Sequence, residues 1–71
     1  PGPAAERAER RNALRDALAR LPEEQRRIVE LRLAGLDGME IAAVLGRSHA
    51  AVKSSQFRAY ARLRELLRGL Q

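Results

Sequence analysis

Apolar residues recur along this chain at helical rather than alternating spacing, and Pro, Gly and short polar residues cut the pattern into four segments. Leu14, Leu18 and Leu21 fall on one side of a first helix, expected over about Ala4 to Arg20. Its opening turns, Glu6 to Arg11, are almost wholly charged and are expected to fray. Pro22 stops that helix and, with φ already fixed, suits the first position of the next. The second helix is therefore expected over about Pro22 to Ala34, with Ile28 and Leu31 inward. Glu23 and Glu24 stand at the positive end of its dipole, and Gly35 supplies a left-handed residue past its end.

Asp37 is followed three residues later by Glu40, the spacing of a capping box, so a third helix is expected over about Gly38 to Leu45. Ile41, Ala42 and Leu45 form its apolar stripe, and Gly46 closes it. Ser48 caps a fourth helix from His49 to about Arg68, on the stripe Val52, Gln56, Ala59, Leu63 and Leu66 or Leu67. Gln56 is the weak point of that stripe, because a buried amide needs hydrogen-bond partners that the sequence does not name. The predicted fold is all-α: a small four-helix domain with a C-terminal helix-turn-helix at about 38–58 and no wing. Pro1-Gly2-Pro3 departs from the pattern and reads as a linker end or cloning scar, which leaves 4–71 as the domain.

Composition supports this class and removes others. Ala, Leu, Arg and Glu dominate, whereas β-branched and aromatic residues are scarce, which favours helix over sheet. Seventy-one residues make one domain with a small core. The chain has no Cys and a single His, so neither a disulfide framework nor a thiolate zinc site is expected, and a reducing cytoplasmic setting is compatible. No apolar run approaches the roughly 20 residues of a membrane span. No constellation of His, Cys or carboxylates points to an enzyme, and no cofactor is expected.

Charge is what turns the helix-turn-helix into a binding hypothesis. Residues 1–40 hold eight Arg against eight Asp and Glu, so the net charge of +5 lies wholly in residues 41–71. There Arg47, Lys53, Arg58, Arg62, Arg64 and Arg68 face one acid, Glu65. A neutral scaffold with a basic helical end suits a polyanion such as nucleic acid. The spacing Ala42, Gly46, Val52 fits the motif: a small residue for close helix crossing, a Gly for the tight turn, and an apolar anchor in the second helix. With Val52, Gln56, Ala59 and Leu63 inward, the opposite face of the fourth helix presents Ala50, Lys53, Ser54, Phe57, Arg58 and Ala61. Lys and Arg can donate to guanine edges or phosphates, Ser can read either a donor or an acceptor, and an exposed Phe can touch a thymine methyl. A lone Phe on a polar face either completes a core or waits for a partner, so the core is the alternative place for Phe57. Arg62, Arg64 and Arg68 lie past the groove and either contact phosphates or keep the helix solvated; His49 reads as a surface residue or a phosphate neighbour.

These residues together resemble region 4 of the sigma-70 family of bacterial transcription initiation factors, in its small extracytoplasmic-function type. The matching stretch is Leu21-Pro22-Glu23-Glu24-Gln25-Arg26-Arg27-Ile28-Val29-Glu30-Leu31-Arg32, then Gly35-Leu36, Glu40-Ile41-Ala42, Leu45-Gly46, Ser48, Val52-Lys53-Ser54 and Arg58-Ala59. The resemblance implies a bacterial cytoplasmic domain whose helix-turn-helix reads the minus-35 promoter element and whose outer surface binds the flap of the RNA polymerase β subunit. It also implies that anti-sigma factors are possible partners. Among its recognition-helix positions, those matching Lys53, Ser54, Phe57 and Arg58 commonly touch bases or backbone; His49, Ala50, Arg47 and Arg62 complete the candidate DNA-binding set. Asp37, Ile41, Ala42, Leu45, Gly46, Ser48 and Val52 are the candidate structural residues of the motif. Nothing in the chain resembles region 2, so an excised domain or a split arrangement is expected. Two other readings compete. The effector domain of LuxR-type regulators shares the Glu-Ile-Ala core and the Val-Lys pair, but not the Leu-Pro-Glu-Glu-Gln segment. A pure protein-interaction module would use Phe57, Tyr60 and the arginines on an acidic partner.

Overall fold

Where each helix starts and stops follows from local chemistry that the computed structural model makes explicit; it describes residues 2–68. Pro1, and residues 69–71 of the proposed 4–71 domain, lie outside the described residues. Four helices succeed one another, α1 (Pro3–Ala19), α2 (Glu23–Leu33), α3 (Gly38–Leu45) and α4 (His49–Arg68), with no strand among the described residues.

The boundaries agree with the expected ones to within about a residue, and each shift has a cause. α1 takes in Pro3 as its first residue behind an extended Gly2, so Pro3 belongs to the helix rather than to a terminal linker. Glu6 to Arg11 are helical, in one continuous α1. Pro22 sits one position earlier than predicted, as the N-cap of α2: its ψ of 148° is extended, and its carbonyl accepts from the Arg26 N–H at 2.9 Å. α2 ends at Leu33, with Ala34 as its C-cap. Gly35 then takes φ 103°, and the N–H groups of Gly35 and Leu36 donate back to the Arg32 and Leu31 carbonyls. That pairing satisfies two carbonyls the helix would otherwise leave open.

Two small apolar clusters make the core. Ala17, Leu21, Val29, Ala59 and Leu63 form one, with Leu18, Leu66 and Leu67 against it. Ile28, Ile41, Ala42 and Val52 form the other, with Leu31, Leu36 and Leu45 against it. Adjacent residues Ile28 and Val29 let α2 serve both clusters, and α4 runs through both. Ile28, Ile41 and Val52 are the largest fully buried side chains.

Two inward positions differ from the expected stripes. In α1 the buried residue is Ala17, whereas Leu14 is only half-buried. Ala17 shares its cluster with Ala59, and a small residue on each helix permits close packing. In α4 the buried stripe is Val52, Ser55, Ala59 and Leu63; Ser55 takes the seam position expected for Gln56, which is half-buried. A short hydroxyl fits there because an acceptor from α2 meets it, as described below.

Val52→Ala removes two methyl groups from a site with no solvent exposure. It should destabilise the domain by about 1–3 kcal/mol through reduced burial and a residual cavity, read as a lower urea midpoint at unchanged slope.

Candidate nucleic-acid interface

Three capping devices set the bounds of α3 and the start of α4. At the start of α3, the Glu40 N–H donates to Asp37 Oδ1 and the Asp37 N–H to Glu40 Oε1, each at 2.9 Å, which completes the capping box. At its end Gly46 adopts the left-handed conformation, φ 65° and ψ 34°, and the Arg47 N–H reaches the Ala42 carbonyl at 3.0 Å. A Cβ at residue 46 would strain that backbone. Ser48 Oγ then accepts from the Ala51 N–H at 3.1 Å and opens α4. Behind these caps Ile41, Ala42 and Val52 are buried and Leu45 is half-buried. The structural residues read from the sequence therefore occupy the positions that close this motif.

The face of α4 opposite its buried stripe is open to solvent at His49, Ala50, Lys53, Ser54, Phe57, Arg58 and Arg62, and Ala61 is half-buried. Phe57 is 72% exposed, which rules out the core alternative for its ring. Lys53 and Arg58 have no ion-pair partner among the described residues. Arg62 instead lies 3.6 Å from Glu65 one turn on, an exposed pair.

Arg47 is placed differently from the rest of the candidate set. Its Nη1 lies 2.6 Å from Glu24 Oε2 on α2, and it turns away from the α4 face toward that carboxylate. The other oxygen, Glu24 Oε1, accepts from Ser55 Oγ at 3.3 Å. One carboxylate from the neutral half thus ties together the interhelical turn and the seam of α4. Sequence reasoning assigned Glu24 only to the α2 dipole. The signal that could have found the rest is a Ser on an otherwise apolar stripe, which needs a buried acceptor from another helix.

His49 also has a fixed neighbour. A Cβ built at Gly38 would stand 2.8 Å from His49 Nε2, so the bare backbone at the start of α3 is what leaves room for the imidazole. The imidazole of exposed His49 thus lies against the start of α3. On the far side, Val29, Leu33, Gly35, Leu36 and Tyr60 border a shallow hollow of about 380 Å³, with Leu33 and Tyr60 exposed at its rim. Among the described residues no group of three or more His, Cys, Asp or Glu could hold a metal ion, and no helix is long and apolar enough to cross a membrane.

Comparison with known proteins matches the sequence to one family. The family described as Sigma-70, region 4 matches residues 11–63. A protein named ECF RNA polymerase sigma factor ShbA, from Streptomyces griseus subsp. griseus, is 50% identical over 50 residues, which cover 69% of this chain. The chain spans only 26% of that relative's length. No solved structure matches the chain.

The Glu24 node makes a thermodynamic statement. Because Arg47 and Glu24 are both well exposed, their ion pair should contribute no more than about 1 kcal/mol. Glu24→Ala also strips the acceptor from buried Ser55, so its cost and that of Ser55→Ala should not add. Urea unfolding of the two single variants and the double variant should show a coupling of about 0.5–1 kcal/mol.

Proposed function

This chain belongs to the sigma-70 region 4 family, and from that membership we propose that it is the promoter-recognition domain of an extracytoplasmic-function sigma factor, reading the minus-35 element with the first half of α4. In this reading α4 lies in the major groove. Lys53, Ser54, Phe57 and Arg58 meet base edges or the backbone beside them. His49 and Ala50, at the helix start, and Arg62, further along, meet the flanking backbone. Arg47 joins them only by sharing its guanidinium with Glu24, since the ion pair leaves it 46% exposed. The family match includes the Leu21–Arg32 segment, which is what separates this reading from a LuxR-type effector domain.

The observation that carries the proposal is the division of α4 into two faces. One supplies Val52, Ser55, Ala59 and Leu63 to the interior, and the other holds Lys53 and Arg58 in solvent, without acidic partners among the described residues. Unpaired cations on a helix that a tight turn projects outward suit phosphate attraction and major-groove docking. The outer surface then serves RNA polymerase, docking on the flap of its β subunit, and an anti-sigma factor is the natural antagonist of either surface. Support for a protein-binding surface comes from Leu33 and Tyr60, exposed beside the hollow on the side of α2.

Fluorescence titration of a minus-35-like duplex should show weak binding that falls steeply with salt and exceeds binding to a scrambled duplex. Equal affinity for the two duplexes would exclude sequence reading. Lys53→Ala and Arg58→Ala should each weaken binding, and where the deleted cation neutralises a phosphate, the slope of log K against log salt should fall by about 1. Thermal unfolding of both variants should stay within about 0.5 kcal/mol of the parent, as expected of exposed positions.

A further inference from the structure

Where the α1–α2 turn meets the flank of α4, an open hollow of about 530 Å³ is bordered by Arg20, Leu21, Pro22, Gln25, Arg58 and Arg62. Half of that border is arginine, and no acid belongs to it among the described residues. Arg20 and Arg58 have no ion-pair partner among the described residues, and Arg62 has only the exposed contact with Glu65 at 3.6 Å. Asp16, one turn before Arg20 in α1, forms no ion pair with it. The floor is apolar: Leu21 is buried in the cluster of Ala17, Val29, Ala59 and Leu63.

This surface is separate from the outward face of α4. At about 100° per residue, Arg58 and Arg62 stand about 100° and 140° round the helix from Phe57, on the side that adjoins buried Ser55 and Ala59. They are four residues apart, so both approach the hollow from one side of α4. Arg20 comes to it from a fixed backbone. Its N–H donates to the Ala17 carbonyl and the Leu21 N–H to the Leu18 carbonyl, each at 3.1 Å, and Pro22 follows with φ −53°. Gln25, half-buried in the first turn of α2, adds an amide able to donate.

Three like charges gathered around one concavity repel one another, and an anion seated between them replaces that repulsion with attraction. All three are Arg rather than Lys, so each offers a planar fork that holds two oxygens at once. A phosphoryl group, with its several oxygens on a tetrahedral centre, can engage more than one fork together. The apolar floor of Leu21 and Pro22 suits the carbon framework that carries such a group. We propose that this hollow is a phosphoryl-binding site, in which Arg20 and Gln25 from the neutral half of the chain act with Arg58 and Arg62. The site requires no reading of base sequence and so stands independently of the function proposed above. Two sources supply its chemistry, a free phosphorylated molecule and the backbone of a nucleic acid.

Pyrophosphate is the probe for the free source, titrated calorimetrically into the whole chain at constant ionic strength. Arg20→Ala should bind it about tenfold more weakly than the parent, the worth of one charge-assisted hydrogen bond, and Gln25→Ala about threefold more weakly. Arg20→Lys should recover part of the loss, because it restores the charge without the fork. Arg64→Ala, which removes an exposed α4 cation outside the hollow, should bind as the parent does. Circular dichroism should show all four variants folded, since none of these side chains belongs to either apolar cluster.

A duplex of arbitrary sequence is the probe for the second source. Weaker duplex binding by Arg20→Ala, with the difference abolished by one methylphosphonate linkage, would support the site and make its occupant a backbone phosphate. Unchanged duplex binding by Arg20→Ala, together with its loss of pyrophosphate, would support the site with a free phosphorylated molecule as occupant. Equal losses in Arg64→Ala, or a duplex loss that no single linkage removes, would show diffuse charge attraction and overturn the site. It would also fall if Arg20→Ala changed the binding of neither probe. A hexaglutamate peptide held through Arg20 more tightly than pyrophosphate would overturn the phosphoryl assignment in favour of a carboxylate partner.

Discussion

Both apolar clusters are completed by the same helix, and that sharing governs the rest of the architecture. α4 gives Val52 to the cluster with Ile28, Ile41 and Ala42, and gives Ala59 and Leu63 to the cluster with Ala17, Leu21 and Val29. Neither cluster is large. A chain of this length buries a modest fraction of its surface, so neither could hold a helix in place without the other. Because α2 and α4 each run through both clusters, tertiary contact rather than intrinsic helix propensity supports their length. The cost of using one side of α4 so fully is that its other side has no structural work left to do. That free side holds the unpaired cations and the exposed phenyl ring.

The neutral half of the chain acts on the basic half through Glu24. Its carboxylate meets Arg47 in the turn and Ser55 on the α4 seam, so the orientation of α4 relative to α2 depends on polar contacts as well as apolar ones. Such a contact offers direction more than energy, since hydrogen bonds demand a particular geometry and exposed ion pairs are weak. The family match, residues 11–63, runs from within α1 to within α4, so both halves of the chain belong to the matched unit.

What the sequence made legible was local. The Asp37–Glu40 capping box, the left-handed Gly46 and the Ser48 cap each act over three or four residues, and each appears where its spacing placed it. Periodicity also identified Ile28, Ile41, Val52, Ala59 and Leu63 as interior residues. It failed where the choice depended on a distant helix. Ser55 and Gln56 are nearly equivalent by helical angle relative to Val52, and the choice between them is made by Glu24, 31 residues away from Ser55. Ala17 was hidden for a related reason: residue size draws attention to Leu14, while close packing near Ala59 favours the smaller side chain. On the candidate interface, the open face of α4 was legible from the same wheel. The engagement of Arg47 by Glu24 and the seat of His49 over Gly38 were not, because both join segments with no shared period.

α4 is continuous from His49 to Arg68, with neither Gly nor Pro between them, and its twenty residues extend about 30 Å. Its first half carries the outward face that follows the turn, while α1 packs against its second half through Leu18, Leu66 and Leu67. The helix is in this sense a rigid lever whose fulcrum is the packing around Ala59. The packing of α1 against its second half therefore helps to set the angle at which its first half projects beyond the turn.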